Sequence, residues 1–476
     1  MNPAVDATPL KPVTGGRPGG RGPHARRSKV YPRAVSGLFS RWRWSLVWLT
    51  QAIFYGLPWL EWGGRQAVLF DLEARRFYLF GAVLYPQDFI YLTGLLVIAA
   101  MALFLFTAVA GRLWCGYACP QTVYTEIFLW IEHRIEGDRA RRIRLDSEPV
   151  SVRKLWLKTA KHGAWAAVAL WTGLTFVGYF TGIRSLPAEV ATLSAGPWET
   201  FWMLFYAGVL YANAGILREQ VCSYMCPHAR LQSAMIDGDT LVITYDPARG
   251  EPRGSRPRKS DPRALGLGDC IDCGLCVEVC PTGIDIRKGL QNECIGCAAC
   301  VDACDDIMGR VGYAQGLIRY DTGNGLRDDW SRAALIRKLL RPRVLAYAGV
   351  LAAVTVALFT HMALRSPLKL DVIRDRGVLA REVEDGLIEN VYRLQLANHT
   401  GLPHRFRIAV AGMESAFVAS ESLVELGPDT ERLVPVRVRA RSGVGQPGSN
   451  LIEFSVETLD DAGLAVREPS TFFVPR

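Results

Sequence analysis

The stretch CIDCGLCVEVCPTGIDIRKGLQNECIGCAACVDAC, residues 270–304, contains eight of the chain's twelve cysteines within 35 residues. They form two consecutive runs with the spacing C-x-x-C-x-x-C-x-x-x-C, the ligand pattern of bacterial two-cluster ferredoxins. Short Cys-x-x-Cys steps let one loop place three thiolates around a [4Fe–4S] cluster, which leaves the fourth iron for a distant cysteine. The spacing therefore predicts an electron-transfer module that binds two [4Fe–4S] clusters.

In this pattern the fourth ligand of each cluster comes from the other run. Gly274, Gly283 and Gly296 suit the tight turns of such loops. Asp305 stands where proline usually follows the last cysteine, so we expect the second run to bend differently there. Structural zinc sites are the alternative, although zinc ribbons seldom have two four-cysteine runs with this spacing. The expected ligand sets are Cys270, Cys273, Cys276 and Cys304 for cluster 1, and Cys294, Cys297, Cys300 and Cys280 for cluster 2.

Half of the residues are apolar, and they are concentrated in long runs. Residues 89–110 contain no charge and exceed the roughly 20 residues that are needed to cross a bilayer core. Comparable stretches occur at 44–62, 163–183, 197–217 and 343–364. The sequence thus predicts an α-helical integral membrane protein with about five spans.

The connections between these stretches alternate in positive charge. Residues 111–162 contain ten Lys and Arg, whereas 63–88 contain three and 184–196 contain one. Because positively charged flanks stay in the cytoplasm, we expect the N-terminus and residues 218–342, with the clusters, on the cytoplasmic side of a bacterial inner membrane. The chain after about residue 365 is then expected in the periplasm.

The formal net charge of +9 comes almost entirely from the first 43 residues. That segment has nine Lys and Arg against Asp6, so the rest of the chain is nearly neutral. A basic flank of a membrane span sets topology and attracts anionic lipid headgroups. We therefore expect contact with membrane lipids and no binding of nucleic acid.

The four remaining cysteines form two similar motifs, WCGYACP at 114–120 and VCSYMCP at 221–227, each after a predicted span. Thiols four residues apart share one helical face and can grip a soft metal ion. The prolines favour the first helical position, so Cys119 and Cys226 are expected to cap helices that lower their pKa. Ordinary buried cysteines are the alternative. The candidate reactive and metal-binding residues are Cys115, Cys119, Cys222 and Cys226.

The last 110 residues have alternating apolar positions separated by Gly, Pro and Asn, which predicts an all-β immunoglobulin-like sandwich. The predicted order is a basic disordered tail (1–43), a membrane domain with four spans and both C-x-x-x-C-P motifs (44–227), a linker (228–265), a dicluster ferredoxin-like module (266–320), a connector (321–342), a fifth span (343–364) and the immunoglobulin-like domain (366–476).

Taken together, these motifs resemble the CcoG/FixG/RdxA family of cytochrome c oxidase accessory proteins. The resemblance covers most of the chain beyond the basic tail, including ENVYRLQLANHTGLPHRF in the C-terminal domain. It implies a role in assembly of the cbb3-type oxidase as a Cu(II) to Cu(I) reductase, with copper facing the four cysteines of the paired motifs. It also implies an unidentified cytoplasmic electron donor, the oxidase or its copper chaperones as partners, and a homodimer.

Two other functions fit the same motifs. Quinol dehydrogenase subunits similar to NapH and NosR share both C-x-x-x-C-P pairs and the ferredoxin runs, although the C-terminal domain favours CcoG. A non-catalytic copper-binding scaffold with redox-sensing clusters is the other alternative. Turnover separates these functions, because a reductase consumes electrons with copper present, a quinol enzyme requires quinol, and a scaffold does neither. The residues alone leave the direction of electron flow open.

Overall fold

The computed structural model describes residues 29–257, 263–364, 368–375, 380–383, 386–398, 400, 402–428, 430–460 and 463–475. The chain divides into two compact units, Met1–Val356 and Ala357–Arg476. The first unit contains all twelve cysteines and most of the helices. The boundary falls within the last long helix, so the second unit consists of the end of that helix and the β-strands that follow it.

Helices dominate the first unit. They are α1 (Leu38–Gly56), α2 (Phe89–Ala110), α3 (Leu113–Tyr117), α4 (Pro120–Glu136), α5 (Arg139–Ser147), α6 (Val152–Val177), α7 (Leu186–Ala191), α8 (Pro197–Leu210), α9 (Pro227–Met235), α10 (Pro247–Gly250), α11 (Leu275–Glu278), α12 (Ala299–Val311), α13 (Gly323–Asp328), α14 (Arg332–Leu339) and α15 (Pro342–Ala363). Two π-helical segments, Tyr211–Leu217 and Val221–Met225, follow α8.

Within the described residues, three helices are long and apolar enough to cross a bilayer: α2, α8 with its extension to Leu217, and α15. They coincide with three of the five predicted spans. The stretch 163–183 differs, because α6 begins earlier, at Val152, and ends at Val177. Its first turns carry lysines and an arginine, which lowers its apolar character.

The stretch 44–62 is not one continuous helix. α1 ends at Gly56, and the following turn contains Pro58, which lacks a backbone N–H and clashes with a preceding helical turn. The start of α1 is fixed by Asp302 of α12, whose carboxylate accepts hydrogen bonds from Phe39 N at 3.1 Å and Ser40 N at 2.7 Å. A side chain 263 residues away thus supplies the N-cap, which explains why the helix start was not predicted.

Short strands occupy the connection between α1 and α2. They are β1 (Glu61–Trp62), β2 (Arg65–Gln66), β3 (Val68–Asp71), β4 (Arg76–Leu79) and β5 (Ala82–Leu84). β1 pairs with β2, and β3–β4–β5 form an antiparallel sheet. The sequence analysis did not predict this small sheet.

The predicted linker 228–265 is partly structured. It contains most of α9 and the strand β6 (Val242–Tyr245), which pairs antiparallel with β7 (Ile318–Asp321). Ile243 and Tyr245 are buried in the same core as Cys270 and Cys276, so this strand is part of the ferredoxin-like module. Burial of these alternating apolar residues outweighs the Pro, Arg and Gly content that indicated a linker, and residues 258–262 lie outside the described residues.

Residues 29–43 of the predicted disordered tail 1–43 are ordered. Residues 1–28 lie outside the described residues, whereas the chain from residue 29 onward packs against the first unit. Arg33 N donates to Glu278 O at 2.9 Å, and Tyr31 Oη donates to the Asp146 carboxylate at 2.6 Å. This segment therefore ties the ferredoxin-like module to α5.

The second unit forms two antiparallel sheets packed around one core. The strands are β8 (Leu368–Arg374), β9 (Arg381–Val383), β10 (Leu387–Asn398), β11 (His404–Ala411), β12 (Phe417–Val418), β13 (Leu423–Leu426), β14 (Thr430–Arg441), β15 (Gly448–Thr458) and β16 (Ala465–Val474). One sheet has the order β12-β14-β10-β8, with β9 also paired to β10, and the other has the order β13-β11-β15-β16. Tyr392, Phe406 and Phe454 are fully buried between them, as the alternation predicts.

Candidate electron-transfer site

The two cysteine runs fold into loops of the same shape. In each run, the residues before and after the second cysteine adopt a left-handed backbone conformation. The φ angles are 54° at Asp272 and 70° at Gly274 in the first run, and 70° at Gly296 and 57° at Ala298 in the second. The runs differ after the fourth cysteine, because α12 continues through Asp305 whereas α11 ends before Cys280 and Pro281.

The module contains two neighbouring cavities lined by cysteines. Cys304 of the second run joins the first three cysteines of the first run around one cavity, and Cys280 of the first run lies with those of the second run around the other. Cys276 touches both cavities. The remaining walls are largely apolar, with Ile286 in the second cavity and Met308 in the first. Four thiols around one apolar cavity fit the four iron corners of a cubane cluster.

Burial dominates the acid–base behaviour of these thiols. It raises the pKa of Cys294 and Cys304 to about 12 and that of Cys276 to about 11. Neighbouring thiolates add to the effect, and the pKa of Cys300 is raised well above its usual value. A metal ligand must be deprotonated, so loading this module with iron must release protons. The positive iron core would compensate the buried negative charge.

The paired C-x-x-x-C-P motifs do not form continuous α-helices. Cys115 lies in α3, which ends at Tyr117, and Cys119 has an extended backbone (φ −62°, ψ 128°) as the N-cap of α4. Cys222 lies in a π-helical segment, and Cys226 is the N-cap of α9. The capping prediction is confirmed. The prediction of a shared helical face is wrong, because the chain leaves the helix between the two cysteines.

The predicted lowering of the pKa by a helix N-terminus is also wrong for the free thiol of Cys119. Burial and the adjacent thiols raise the pKa of Cys115 to about 12 and that of Cys222 to about 11. Burial likewise raises the pKa of Cys119, although the backbone N–H groups of Gln121 and Thr122 donate to its sulfur and oppose the shift. Desolvation therefore outweighs the helix dipole here.

Both motifs converge on one region. Cys115 Sγ donates to Gln232 Oε1 at 3.1 Å, and Gln232 belongs to the helix that Cys226 caps. Gln121 Nε2, two residues after Cys119, donates to the carbonyl oxygen of Asn213 at 2.9 Å. The sulfurs are close enough for each thiolate to disfavour ionisation of its neighbours. Among the described residues, however, no three His, Cys, Asp or Glu side chains are placed to hold a single metal ion, and this applies to the ferredoxin-like cysteines as well.

The loop of the second cysteine run lies directly against the first membrane motif. A Cβ added at Gly116 would lie 2.9 Å from both N and Cα of Cys297, so glycine permits this approach. Cys115 and Cys222 pack against the core that contains Ile295 and Cys297. We call the four cysteines of the paired motifs the membrane cysteines. The structure thus places two of them, Cys115 and Cys222, next to Cys297 of the cluster 2 set.

Three residues without a signal of this role in the sequence donate hydrogen bonds to backbone carbonyl oxygens at the second cysteine run. Arg112 Nη1 donates to the carbonyl oxygens of Asn292 and Cys294, the latter at 3.3 Å. Arg43 Nη1 donates to Cys297 O at 3.4 Å, and Tyr320 Oη donates to Gly296 O at 2.5 Å. In the sequence, Arg43 and Arg112 are recognisable only as positive charges that predict membrane topology. The fold shows that they also bind the backbone of the second cysteine run.

Three family models match the chain. A "4Fe-4S binding domain" matches residues 92–137, a "4Fe-4S dicluster domain" matches residues 217–323, and an "IG-like fold at C-terminal of FixG" matches residues 358–475. Both membrane motifs and both ferredoxin runs therefore lie within matches described as binding 4Fe-4S clusters.

The chain is also similar to curated proteins over nearly its whole length. Protein RdxA of Cereibacter sphaeroides is 41% identical over 455 residues, which cover 92% of this chain and 95% of RdxA. Nitrogen fixation protein FixG of Rhizobium meliloti is 38% identical over 476 residues, with 91% of each chain covered. A solved structure of a FixG-related protein from Vibrio parahaemolyticus matches 24% of this chain and 99% of its own, with 20% identity and a TM-score of 0.22.

Proposed function

The chain belongs to the FixG/RdxA family of iron–sulfur proteins, and from this premise we propose that it reduces Cu(II) to Cu(I) for assembly of the cbb3-type cytochrome c oxidase. Its membrane helices and 4Fe-4S domains make it a membrane-bound electron-transfer protein. The main support for the proposal is the close packing of Gly116 on Cys297, because it makes the distance for electron transfer from the ferredoxin-like module to the membrane cysteines short.

The proposed ligands are the two crossed sets that line the two cavities. Cys270, Cys273, Cys276 and Cys304 would hold cluster 1, and Cys280, Cys294, Cys297 and Cys300 would hold cluster 2. Bound [4Fe–4S] clusters supply one-electron carriers whose potentials the protein tunes. The apolar residues around the cysteines exclude water and keep the sites in a low dielectric.

The membrane cysteines are the proposed copper-facing end. Reduction of Cu(II) takes one electron per ion, which matches the one-electron steps of the module. Thiolates favour Cu(I), so Cys115, Cys119, Cys222 and Cys226 would stabilise the product. The thiols are not placed to grip one ion in the described arrangement, so copper binding would draw them together. Binding would release protons from thiols such as Cys115 and Cys222, whose pKa is raised by burial.

We propose the topology that the charge distribution predicts. The five stretches would cross the inner membrane with the N-terminus and the ferredoxin-like module in the cytoplasm and the immunoglobulin-like domain in the periplasm. An unidentified cytoplasmic donor would supply electrons, and the oxidase or its copper chaperones would receive Cu(I). Contact with anionic lipids and self-association as a homodimer complete the proposal.

Turnover with an artificial cytoplasmic-side reductant tests the function. Cluster-loaded protein in nanodiscs should consume reductant when Cu(II) is added and form an equivalent amount of Cu(I). A quinol dehydrogenase would instead require quinol, and a scaffold would consume no electrons with either substrate. The double variant Cys119→Ser/Cys226→Ser should lose the copper-dependent turnover, whereas Ser223→Ala, inside the second motif, should retain it. Copper reduction that persists in the double variant with full iron content would overturn the thiol assignment.

A further inference from the structure

Arg112 occupies the junction between the ferredoxin-like module and the membrane cysteines. It stands between α2 and α3, three residues before Cys115, and only 6% of it is exposed to solvent. Arginine is almost never buried to this extent unless its charge is used in hydrogen bonds or ion pairs. A role in membrane topology alone therefore does not explain why Arg112 is buried.

The guanidinium bridges two parts of the chain. Nη1 donates to the carbonyl oxygens of Asn292 and Cys294 at the start of the second cysteine run. Nη2 donates to the carbonyl oxygen of Ala229 and to Ser233 Oγ, both in the helix that Cys226 caps. One side chain thus connects the loop of cluster 2 to the second membrane motif.

The backbone around Arg112 supports the same contact. A Cβ added at Gly296 would lie 3.2 Å from Arg112 O, so the module loop packs on the backbone of this residue as well as on its side chain. Neither cavity is lined by a described residue of a membrane motif. Cys297 of the cluster 2 set, however, packs with Cys115 and Cys222, whereas Cys270 and Cys276 of the cluster 1 set are buried in a different core with Met308 and Leu317. Among the described residues, the packing therefore brings the cluster 2 set to the membrane motifs.

The charge of Arg112 is not cancelled locally. Among the described residues its guanidinium binds carbonyl and hydroxyl oxygens and no carboxylate. It faces the thiol groups of Cys115, Cys222, Cys226 and Cys294. A centre that gains an electron becomes more negative, and a buried cation nearby stabilises that state because the local dielectric is low.

From these contacts we infer that electrons cross between the module and the membrane cysteines at cluster 2, and that Arg112 is the positioning residue that holds this junction and raises the potential of cluster 2. The inference rests on the proposed electron transfer to the membrane cysteines. Each crossing moves one electron, so cluster 2 is oxidised by one electron and the acceptor, Cu(II) in the proposed reaction, is reduced by one.

Arg287 provides a matched comparison for cluster 1. It lines the cavity of cluster 1 and its charge faces Cys276, but Asp285 and Asp272 pair with it. Removing the Arg287 charge should therefore affect cluster 1 by less than removal of the Arg112 charge affects cluster 2. The two arginines allow the two centres to be perturbed separately.

Potentiometric titration monitored by EPR, without copper, tests the inference. Arg112→Gln should shift the midpoint potential of one centre to a more negative value and leave the other unchanged, whereas Arg287→Gln should shift the other centre by a smaller amount. Arg112→Lys, which retains the charge, should restore most of the potential. Fully iron-loaded Arg112→Gln with both potentials unchanged, or with both shifted equally, would overturn the inference.

A second variant covers the case in which Arg112→Gln fails to bind iron. Ser233→Asp leaves Arg112 in place and sets a carboxylate beside its guanidinium, which neutralises the charge. It should shift the same centre in the same direction, and no shift in the loaded protein would overturn the inference. The titration contains no copper, so the measured midpoint potentials test the role of Arg112 even if the protein does not reduce Cu(II).

Discussion

Gly116 lies where the membrane motif packs on the backbone of the cluster 2 loop, and Gly116→Ala tests that contact directly. The added Cβ would lie 2.9 Å from N and Cα of Cys297 and from the carbonyl carbon of Gly296. Ordinary contacts of a Cβ begin near 3.4 Å, so the loop must move by about 0.5 Å or more. The obstacle is backbone, which cannot rotate away as the end of a flexible side chain can.

We expect this overpacking to cost about 1–3 kcal/mol of stability. Displacement of the loop also separates Cys297 from Cys115 and should slow Cu(II) reduction in protein with full iron content. The assays are chemical denaturation of the protein in detergent and single-turnover reduction with pre-reduced protein.

Gly163→Ala is the matched control, because Gly163 lies in α6 with nothing within 4 Å of its added Cβ. Alanine there should stabilise the helix by roughly 0.5–1 kcal/mol and leave the reduction rate unchanged. The reasoning is refuted if Gly116→Ala behaves like Gly163→Ala in both assays.

Three further predictions concern buried charges and thiols. Glu132→Gln should lower the unfolding free energy by about 3–5 kcal/mol in denaturant titrations, because it breaks a fully buried ion pair with Arg218 at 2.6 Å. Burial opposes ionisation of Glu389, but two arginines outweigh it and hold its pKa below the usual range. The stability that this carboxylate adds is therefore present above pH 4.5 and lost as the pH falls through the folded pKa. Hydrogen exchange of β10 measured against pH should show this loss, and Glu389→Gln should flatten the pH dependence. In iron-free protein at pH 8, Cys294 and Cys304 should react with iodoacetamide far more slowly than a free cysteine, because their pKa is about 12.

The predictions for Glu132 and for the buried cysteines each have a control. Arg327→Gln removes a charge from the exposed pair with Asp328 and should leave the unfolding free energy nearly unchanged. Cys273 is exposed and should be alkylated faster than the buried thiols of the same module. Equal effects in a variant and its control would contradict the role given to burial.

Local patterns in the sequence predict the parts of this fold that depend on neighbouring residues. The spacing of the eight cysteines predicts which of them share a cavity, and alternating residues such as Tyr392, Leu394 and Leu396 predict the buried face of β10. Pro120 and Pro227 likewise predict the helices that begin after the membrane motifs.

Features that depend on long-range contacts could not be predicted from the sequence. The start of α1 depends on Asp302, 263 residues away, and the junction at Arg112 depends on a carbonyl 182 residues away. The pKa of Cys119 depends on its burial, which the fold determines, and not only on its position at a helix N-terminus. No local pattern contains this information.

We propose that electrons pass from the ferredoxin-like module through the membrane cysteines to copper. The most direct measurement mixes dithionite-reduced, cluster-loaded protein, freed of excess reductant, with Cu(II) under anaerobic conditions and a Cu(I)-specific chromophore. We predict that Cu(I) forms in step with reoxidation of the clusters, and that Cys119→Ser/Cys226→Ser abolishes this reaction with full iron content retained. Clusters that stay reduced in the presence of Cu(II) would contradict the claim.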